Sequence, residues 1–290
     1  MTTLMYVLAA VGVGLTMYLG ISSAFEVLYY RRRREEAAEW KCQPRRWLSP
    51  AMLRKQLILG TANVAAASVA SGLFASYVAG GGRSALYFDL REHGLAYTVG
   101  VTIVYFLVTD AGLYFAHRTL HRPLLFRHIH RLHHRFVSPN AFTAMAMHPV
   151  ELVLYQTIMI APVFVLPMHV ASVILVLLYQ NYVGMLDHSG VILHSWLPWQ
   201  PSTRFHDDHH VHFHVNYGQN LSLWDWLFGT YRREGRVYGE AVFGGRGAPA
   251  DGREGRPAPC VDYGRPRRPA PSADVTPSAP AAEPAPDATS

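Results

Sequence analysis

The sequence predicts an all-α polytopic membrane protein with about four transmembrane helices, or three helices and a membrane hairpin, and a cytoplasmic histidine-rich helical cap. Three observations support this fold class. Half of the 290 residues are hydrophobic, and they lie in long blocks that could cross a bilayer. The segments between the blocks are short and rich in arginine and histidine. Basic residues concentrate in the cytoplasmic loops of membrane proteins, so this layout favours several crossings.

The first two blocks predict an anchor helix and a second, closely packed helix. The first runs over about residues 4–30 and ends in four consecutive arginines at 31–34. A secretory signal carries its positive charges before a shorter apolar run, so we interpret this block as a retained anchor. The second, about 56–80, is rich in alanine and serine. Such small side chains allow helices to approach closely within a membrane.

The next two blocks predict one more span and a hairpin. About residues 97–116 form the third block, and at 1.5 Å per residue such a helix covers roughly 30 Å, the thickness of a bilayer core. The stretch from about 150 to 187 is too long for one helix. Pro167 lies near its middle, and because proline breaks a helix, we expect two short spans there.

The charge of the loops predicts the orientation in the membrane. The loop between the first two blocks holds nine basic and three acidic residues, so it should be cytoplasmic. The loop after the second block is balanced in charge. Counting the crossings from these two loops places all the histidine-rich segments on the cytoplasmic face.

Three short segments carry half of the chain's 16 histidines: HRTLH at 117–121, HRLHH at 130–134 and HDDHH at 206–210. Residues three and four apart share a helix face, so each segment can direct its imidazoles towards one point. Neutral histidine is the commonest protein metal ligand. Eight imidazoles exceed what one tetrahedral site takes, which implies two metals. The two cysteines, Cys42 and Cys260, offer neither a cysteine metal site nor a disulfide framework.

The order of these motifs, together with SPNAFTAMAMHPVE, DHSG and NYGQNLSLWDWLFGTYR, resembles the fatty acid hydroxylase/sterol desaturase superfamily. The closing segment is most similar to the sterol C-5 desaturase branch, and the resemblance covers about residues 101–233. It implies a membrane non-haem di-iron oxidoreductase that uses dioxygen and two electrons to desaturate or hydroxylate a lipid, first of all a sterol-like one. A fatty acyl or carotenoid hydroxylase is the alternative within this class. The resemblance also implies an external electron donor of the cytochrome-b or ferredoxin type, and no nucleic-acid partner.

The resemblance places the metal ligands on nine histidines. They are His117, His121, His130, His133, His134, His188, His206, His209 and His210. His194 and His214 are further candidates, whereas we interpret His148 as a packing residue.

Asp110 is the one acidic residue in the third predicted span, four residues before Tyr114 and seven before His117. An ionisable residue inside a span usually faces a partner. We expect Asp110 either to accept a hydrogen bond from the outer nitrogen of a ligand histidine or to bond between packed helices.

These features predict three regions. Residues 1–55 form an anchor and a basic loop, residues 56–243 form the membrane-embedded domain, and residues 244–290 form a disordered tail rich in proline and alanine. The excess of arginine over lysine and the tail composition favour a bacterial inner membrane; a eukaryotic protein would lie in the endoplasmic reticulum.

A histidine-rich metal transporter or sensor is the alternative from another class. A transporter should place polar ligands along the membrane midplane, whereas the predicted spans hold few such groups apart from Asp110.

Overall fold

A computed structural model describes residues 2–195, 197, 199–250 and 259–263, and helices dominate it. The α-helices are α1 Thr3–Phe25, α2 Ala37–Trp40, α3 Pro50–Ala79, α4 Gly94–Leu120, α5 Pro123–Leu125, α6 Arg131–His134, α7 Pro149–Ile160, α8 Val170–Asp187, α9 Arg204–His212 and α10 Leu223–Leu227. The π-helical turns are Glu26–Arg31 and Phe126–His130, and the 3-10 turns are Ala141–Met145 and Ala161–Phe164. The strands are β1 Leu86–Tyr87, β2 Met168–His169, β3 Arg236–Val237 and β4 Ala248–Pro249.

Four helical stretches are long and apolar enough to cross a membrane, which confirms the predicted fold class. They are α1 with its π-helical extension, α3, α4 and α8. Many of their leucine, valine and isoleucine side chains are exposed, Leu8, Ile58, Ile103 and Leu175 among them. Backbone groups in a helix satisfy one another, so such apolar faces suit contact with lipid.

The starts of these helices follow from local sequence. Ser49 precedes α3 and its side chain accepts a hydrogen bond from the Met52 amide, while Pro50 occupies the first turn. His148 does the same for α7, where its ring nitrogen accepts from the Val150 amide. Side-chain acceptors and an early proline are common helix-start signals because the first amides of a helix lack partners.

The helices α1 and α3 pack closely, as the small residues of the second block predict. A side chain at Gly72 would collide with the backbone of Val7, and one at Gly60 would collide with the Tyr18 ring. The hydroxyl of Tyr18 donates to the Phe142 carbonyl at 2.8 Å, so this helix pair is tied to the loop that precedes α7.

The predicted hairpin near Pro167 is also present. Helix α7 and its 3-10 extension end at Phe164, and α8 begins at Val170. Between them, β2 pairs in parallel with β1. His93 and His169 lie at this end of the bundle, where both rings contact Tyr87. The chain then returns along α8 to the other end, where the histidine-rich segments lie.

Part of the predicted tail contacts the folded domain. Strand β4, which follows residue 244, pairs with β3. Farther along, Val261 and Tyr263 are buried against Phe205 of α9. The Tyr263 hydroxyl donates to Asp208 Oδ2 at 2.7 Å and accepts from Asn216 Nδ2 at 2.9 Å. These contacts extend the folded region beyond the expected boundary; residues 251–258 and 264–290 lie outside the described residues.

We expect Tyr263→Phe to destabilise the protein by about 1–3 kcal/mol, because it removes both hydrogen bonds of a buried hydroxyl, one of them to a carboxylate. The measurement is the thermal unfolding of the purified protein in detergent. Cys260→Ser is the matched control, since Cys260 is exposed and exposed substitutions usually change stability by less than about 0.5 kcal/mol. Equal unfolding of both variants and the unaltered protein would show that this segment does not support the cap.

Candidate metal centre

Nine buried histidines form two adjacent clusters at one end of the helix bundle. Cluster A contains His117, His121, His130, His134 and His209. Cluster B contains His133, His188, His206 and His210. Within each cluster the nitrogen atoms that could bind a metal lie within 4.8 Å of one another. The structure therefore brings together all nine histidines that the resemblance singles out.

The division into clusters follows the helical period. Histidines four residues apart share a cluster: 117 with 121, 130 with 134, and 206 with 210. Neighbours in sequence separate, so His133 and His134 enter different clusters, as do His209 and His210. Successive side chains on a helix diverge by about 100°. The expectation that each motif is directed at one point is therefore corrected, because the second and third motifs each serve both clusters.

Hydrogen bonds fix the ring orientation of several of these histidines. In cluster A, His117 Nδ1 donates to the Tyr217 carbonyl at 2.8 Å and His209 Nδ1 donates to the Val215 carbonyl at 2.6 Å. In cluster B, His188 Nδ1 donates to the Gly184 carbonyl at 2.6 Å, and His133 Nδ1 donates to the Ala146 carbonyl at 3.3 Å. A carbonyl can only accept, so each of these neutral rings presents an Nε2 lone pair to its cluster.

A carboxylate does the same for His130, whose Nδ1 donates to Glu151 Oε1 at 2.8 Å. Glu151 is 1% exposed and lies in the first turn of α7. The sequence alone does not single out this residue. Its position two residues after the His-Pro pair at the start of a helix gave no sign of which histidine it would meet.

These orientations create close contacts that only a cation can relieve. The Nε2 atoms of His117 and His130 are 3.1 Å apart, and those of His133 and His188 are also 3.1 Å apart. In each pair the Nδ1 atoms hold the ring protons, so both Nε2 atoms are acceptors. Two nitrogens that bind one metal at about 2.1 Å and at right angles are separated by roughly 3 Å.

Buried ring nitrogens without hydrogen-bond partners also indicate metal binding. The Nε2 atoms of His121, His209 and His210 have no hydrogen-bond partner among the described residues. A buried polar atom left unpaired is costly. The arrangement therefore fits one metal ion in each cluster, and the donor set, made of neutral imidazoles, suits a first-row transition metal.

Burial keeps these imidazoles neutral. It lowers the pKa of His188 to about 4, and it lowers the pKa values of His133, His134, His209 and His210 well below the ordinary value, with repulsion between neighbouring rings acting in the same direction. Neutral rings are the form that binds a metal.

Asp110 is buried, but it contacts no histidine among the described hydrogen bonds. Its Oδ2 accepts from Trp224 Nε1 at 2.7 Å and its Oδ1 accepts from Asn220 Nδ2 at 2.9 Å. The expected contact with a ligand histidine is therefore absent from these hydrogen bonds. Asp110 makes the alternative packing contacts instead, which tie α4 to α10 and to the segment before it. Glu151 supplies the carboxylate contact instead.

A second buried aspartate shapes the loop behind His117. Asp225 accepts from the amides of Tyr217 and Gly218 at 2.8 and 2.6 Å, and from Thr230 Oγ1 at 2.6 Å. Burial raises its pKa to about 6, although these hydrogen bonds act in the opposite direction. By holding the amide of Tyr217, Asp225 also fixes the carbonyl that orients His117.

The remaining histidines lie outside the two clusters. His194 is exposed and joins neither of them. His214 is buried, and its Nδ1 lies 3.0 Å from His121 Nδ1 while its Nε2 lies 2.8 Å from the Glu240 carbonyl. His214 therefore packs behind a ligand candidate. His128 is exposed, and His148 caps α7.

A cavity leads from the two clusters to the membrane-spanning helices. Its inner wall includes His117 of cluster A and His188 of cluster B. Apolar side chains line much of the rest: Leu113, Ala144, Met145, Met147, Leu152 and Met159. The wall also reaches Asn181, an exposed residue of α8. A molecule dissolved in the bilayer could therefore reach both clusters between these helices.

Comparison with known proteins finds relatives of the central part of the chain. Residues 102–230 match the fatty acid hydroxylase family. The Delta(7)-sterol 5(6)-desaturases of Saccharomyces cerevisiae and Candida glabrata are each 34% identical over 154 residues, which cover 52% of this chain and 42% of each relative. That of Gibberella zeae is 30% identical over 153 residues, or 52% of this chain and 47% of the relative. The chain thus spans less than half the length of these three relatives. No solved structure matches it.

The matched region agrees with the boundaries of the resemblance found in the sequence. It contains all three histidine motifs, Glu151 and Asp225. The comparisons therefore support the resemblance of this region to the superfamily and to its sterol desaturase branch.

Glu151→Gln and Asp110→Asn should have different effects on metal binding. The first removes the charge that holds His130, and such outer contacts change metal affinity by about 10- to 100-fold. The second touches no histidine, so it should leave metal affinity unchanged and lower thermal stability. Competition with a chelator, followed by metal analysis of the protein, measures the affinity. Equal loss of metal from both variants would contradict this assignment.

The metal-free protein should be less stable at pH 5 than at pH 8. The pKa of His188 falls to about 4 on folding, below its ordinary value of about 6.5. The unfolded chain therefore binds more protons between these values, so stability is complete above about pH 6.5 and decreases as the pH falls. Asp207 and Asp225, whose pKa values burial raises to about 7 and about 6, act with the opposite sign but are fewer than the buried histidines. Urea unfolding at several pH values tests this, and an unchanged midpoint would contradict it.

Proposed function

Because residues 102–230 form a domain of the fatty acid hydroxylase family, we propose that this multi-pass membrane protein is a metal-dependent oxidoreductase that desaturates or hydroxylates a lipid. The observation that carries this proposal is the pair of neighbouring histidine clusters at the inner end of a cavity between membrane-spanning helices. A lipid substrate can enter this cavity from the bilayer without passing through water.

We propose iron as the metal, one ion in each cluster. His117, His121, His130, His134 and His209 would hold the first ion, and His133, His188, His206 and His210 would hold the second. Bound iron would supply the redox chemistry with dioxygen that breaks an unactivated C–H bond, which no amino-acid side chain can do alone. Imidazole also binds zinc and copper well, so the redox reaction of the family supports the choice of iron.

The chain's own residues would position the substrate and keep water away. Leu113, Leu152 and Met159 would contact its apolar surface, because they line the cavity and burial of apolar area drives such binding. Gln180 lies on the same wall, where its Nε2 donates to Thr109 Oγ1 at 2.7 Å, and its side-chain oxygen has no described partner. That oxygen could accept a hydrogen bond from a substrate hydroxyl.

A sterol-like substrate is supported by the names of the three relatives, which are sterol 5(6)-desaturases. A largely apolar wall that includes the free side-chain oxygen of Gln180 suits a rigid, mostly apolar molecule that carries a hydroxyl group. Two electrons must come from outside, and we propose a cytochrome-b-type or ferredoxin-type protein as the donor, on the cytoplasmic side.

The location of the clusters argues against a metal transporter. They lie at the ends of α4 and α8, beside Leu120 and Asp187, whereas a transport path needs polar groups near the midplane. The relatives named above are fungal, so the bacterial inner membrane gains no support from them. We propose the endoplasmic reticulum membrane if the source is eukaryotic.

His133→Ala and His209→Ala should each abolish lipid oxidation, since each removes a ligand from one cluster, which changes the geometry and potential of its metal. His93→Ala is the control, because His93 lies at the opposite end of the bundle. The measurement compares the lipids of host membranes that contain each variant, supplied with a Δ7-sterol, a fatty acid or a carotenoid. Purified protein should hold close to two metal ions per chain. Full oxidation by both ligand variants would overturn the proposal, and oxidation of the fatty acid alone would overturn the sterol-like substrate.

A further inference from the structure

A second cavity lies apart from the metal centre, where the first membrane-spanning stretch ends and α3 begins. It has a volume of about 230 Å³, several times the roughly 30 Å³ that one water molecule occupies. Its wall comes from the π-helical turn after α1, the basic loop, the start of α3 and residues 138–140. None of the nine clustered histidines lines it.

The deepest charged group on this wall is Lys41, which is 1% exposed. Its Nζ donates to Ser138 Oγ at 2.6 Å and lies 5.4 Å from the centre of the Trp47 ring. No salt bridge within the part of the chain that the structure describes involves Lys41. The ammonium group also lies 5.7 Å from the centre of the Tyr30 ring, and the carboxylate of Asp207 attracts it without forming a salt bridge. A buried ammonium group held by one hydroxyl and two aromatic rings is thus only partly compensated for its loss of water. An anion in the cavity would compensate it.

A second buried donor on the same wall lacks a partner. Asn140 is 2% exposed, and its Oδ1 accepts from the Phe142 amide at 3.2 Å and from Gln56 Nε2 at 2.7 Å. A backbone amide can only donate, so the orientation of the Asn140 side chain is fixed. Its Nδ2 has no described hydrogen-bond partner. Two buried donors thus line one cavity, and each has donating capacity left.

Positive charge also surrounds the cavity nearer the surface. Arg31 and Arg34 belong to its wall, and the guanidinium of Arg34 lies 4.3 Å from the centre of the Trp47 ring. The one carboxylate on the wall, Glu26, lies 3.6 Å from Arg31 Nε, so it is already neutralised in part. Three cationic residues and one anionic residue therefore line the cavity, which favours a ligand of negative charge.

The position of the cavity indicates the source of that charge. It lies beside Arg31, the last residue of the first candidate span, and close to Pro50, the first residue of the second. The ends of membrane-spanning helices lie at the level of lipid headgroups. Leu48 and Leu53 add an apolar side to the wall, next to the exposed Leu57 of α3.

We propose that this cavity binds the phosphate group of an anionic phospholipid. Lys41 and Asn140 donate to the phosphate oxygens, Arg34 contacts them from the mouth, and the acyl chains lie along Leu53 and the outer face of α3. Arginine and lysine are the usual partners of phosphate in proteins. The site is independent of the metal and of the proposed reaction.

The test is a calorimetric titration of the full-length protein in a neutral detergent with dioctanoyl phosphatidic acid. Lys41→Met should weaken binding by about 10- to 100-fold, as expected for a lost hydrogen bond to a charged group. The matched control is Lys55→Met, because Lys55 lies near the start of α3, is exposed and does not line the cavity. It should bind like the unaltered protein.

A second pair keeps the test independent of folding, since both residues are exposed. Arg34→Gln should weaken binding by about 2- to 5-fold, the effect of an exposed charge contact, and Arg32→Gln, which lies off the wall, should not. Dioctanoyl phosphatidylcholine and inorganic phosphate are the comparison ligands, and both should bind more weakly than phosphatidic acid. Equal binding of inorganic phosphate would overturn the lipid source. Equal binding of phosphatidic acid by the Lys41, Arg34 and control variants would overturn the site itself.

Discussion

Mutual repulsion between neutral imidazoles is the constraint on which the rest of the structure depends. Nine histidine rings share a buried volume, and their Nε2 atoms approach within about 3 Å of each other in several pairs. Without a cation these lone pairs repel each other. The rings stay in place because distant parts of the chain hold their outer nitrogens, including α7 through Glu151, α8 through Gly184 and the loop at Tyr217. The irregular segments around the helices thus have a direct role in shaping the metal centre.

The helices contribute electrostatically as well as by position. His117 lies in the last turn of α4 and His188 follows the last residue of α8, while His209 and His210 lie in the last turn of α9. The carboxyl end of a helix carries a partial negative charge of about half an elementary charge. Several such ends therefore face the place where the cations would lie. Neutral ligands need this support, because they bring no negative charge of their own.

The sequence predicts those parts of the structure that depend on local periodicity. The apolar blocks fix the spans and the break near Pro167, because length and hydropathy act within a single segment. The spacing of four residues in each histidine motif likewise identifies the pairs that act together. The split of adjacent histidines between two clusters depends on where the second metal position lies, and that is set by His188 from another helix. No local pattern contains this information.

Carboxylates show the limit of sequence reasoning in another way. Asp110 lies on the same helix as His117, seven residues away, and seven residues of helix rise by about 10 Å. That separation lets Asp110 reach Trp224 and Asn220 instead. Glu151 reaches His130 only because the hairpin brings the start of α7 beside the second motif. Similarly, Val261 and Tyr263 bury themselves against α9 although the average composition around them predicts no packed structure.

Asp207 of α9 links the metal centre to the basic cavity, because it lies next to His206 and interacts with Gln43 and Lys41 of the basic loop. Asp207 and Asp208 lie between the ligand candidates His206 and His209 along α9. The Oδ2 atom of Asp207 accepts a hydrogen bond from Gln43 Nε2 of the basic loop at 3.1 Å. Burial raises its pKa to about 7, while the positive charge of Lys41 lowers it. Cations in the clusters would act in the same direction as Lys41 and favour the ionised carboxylate. An ionised Asp207 would in turn reduce the repulsion between the metal charges and Lys41, so the two sites can be filled together without an uncompensated excess of positive charge.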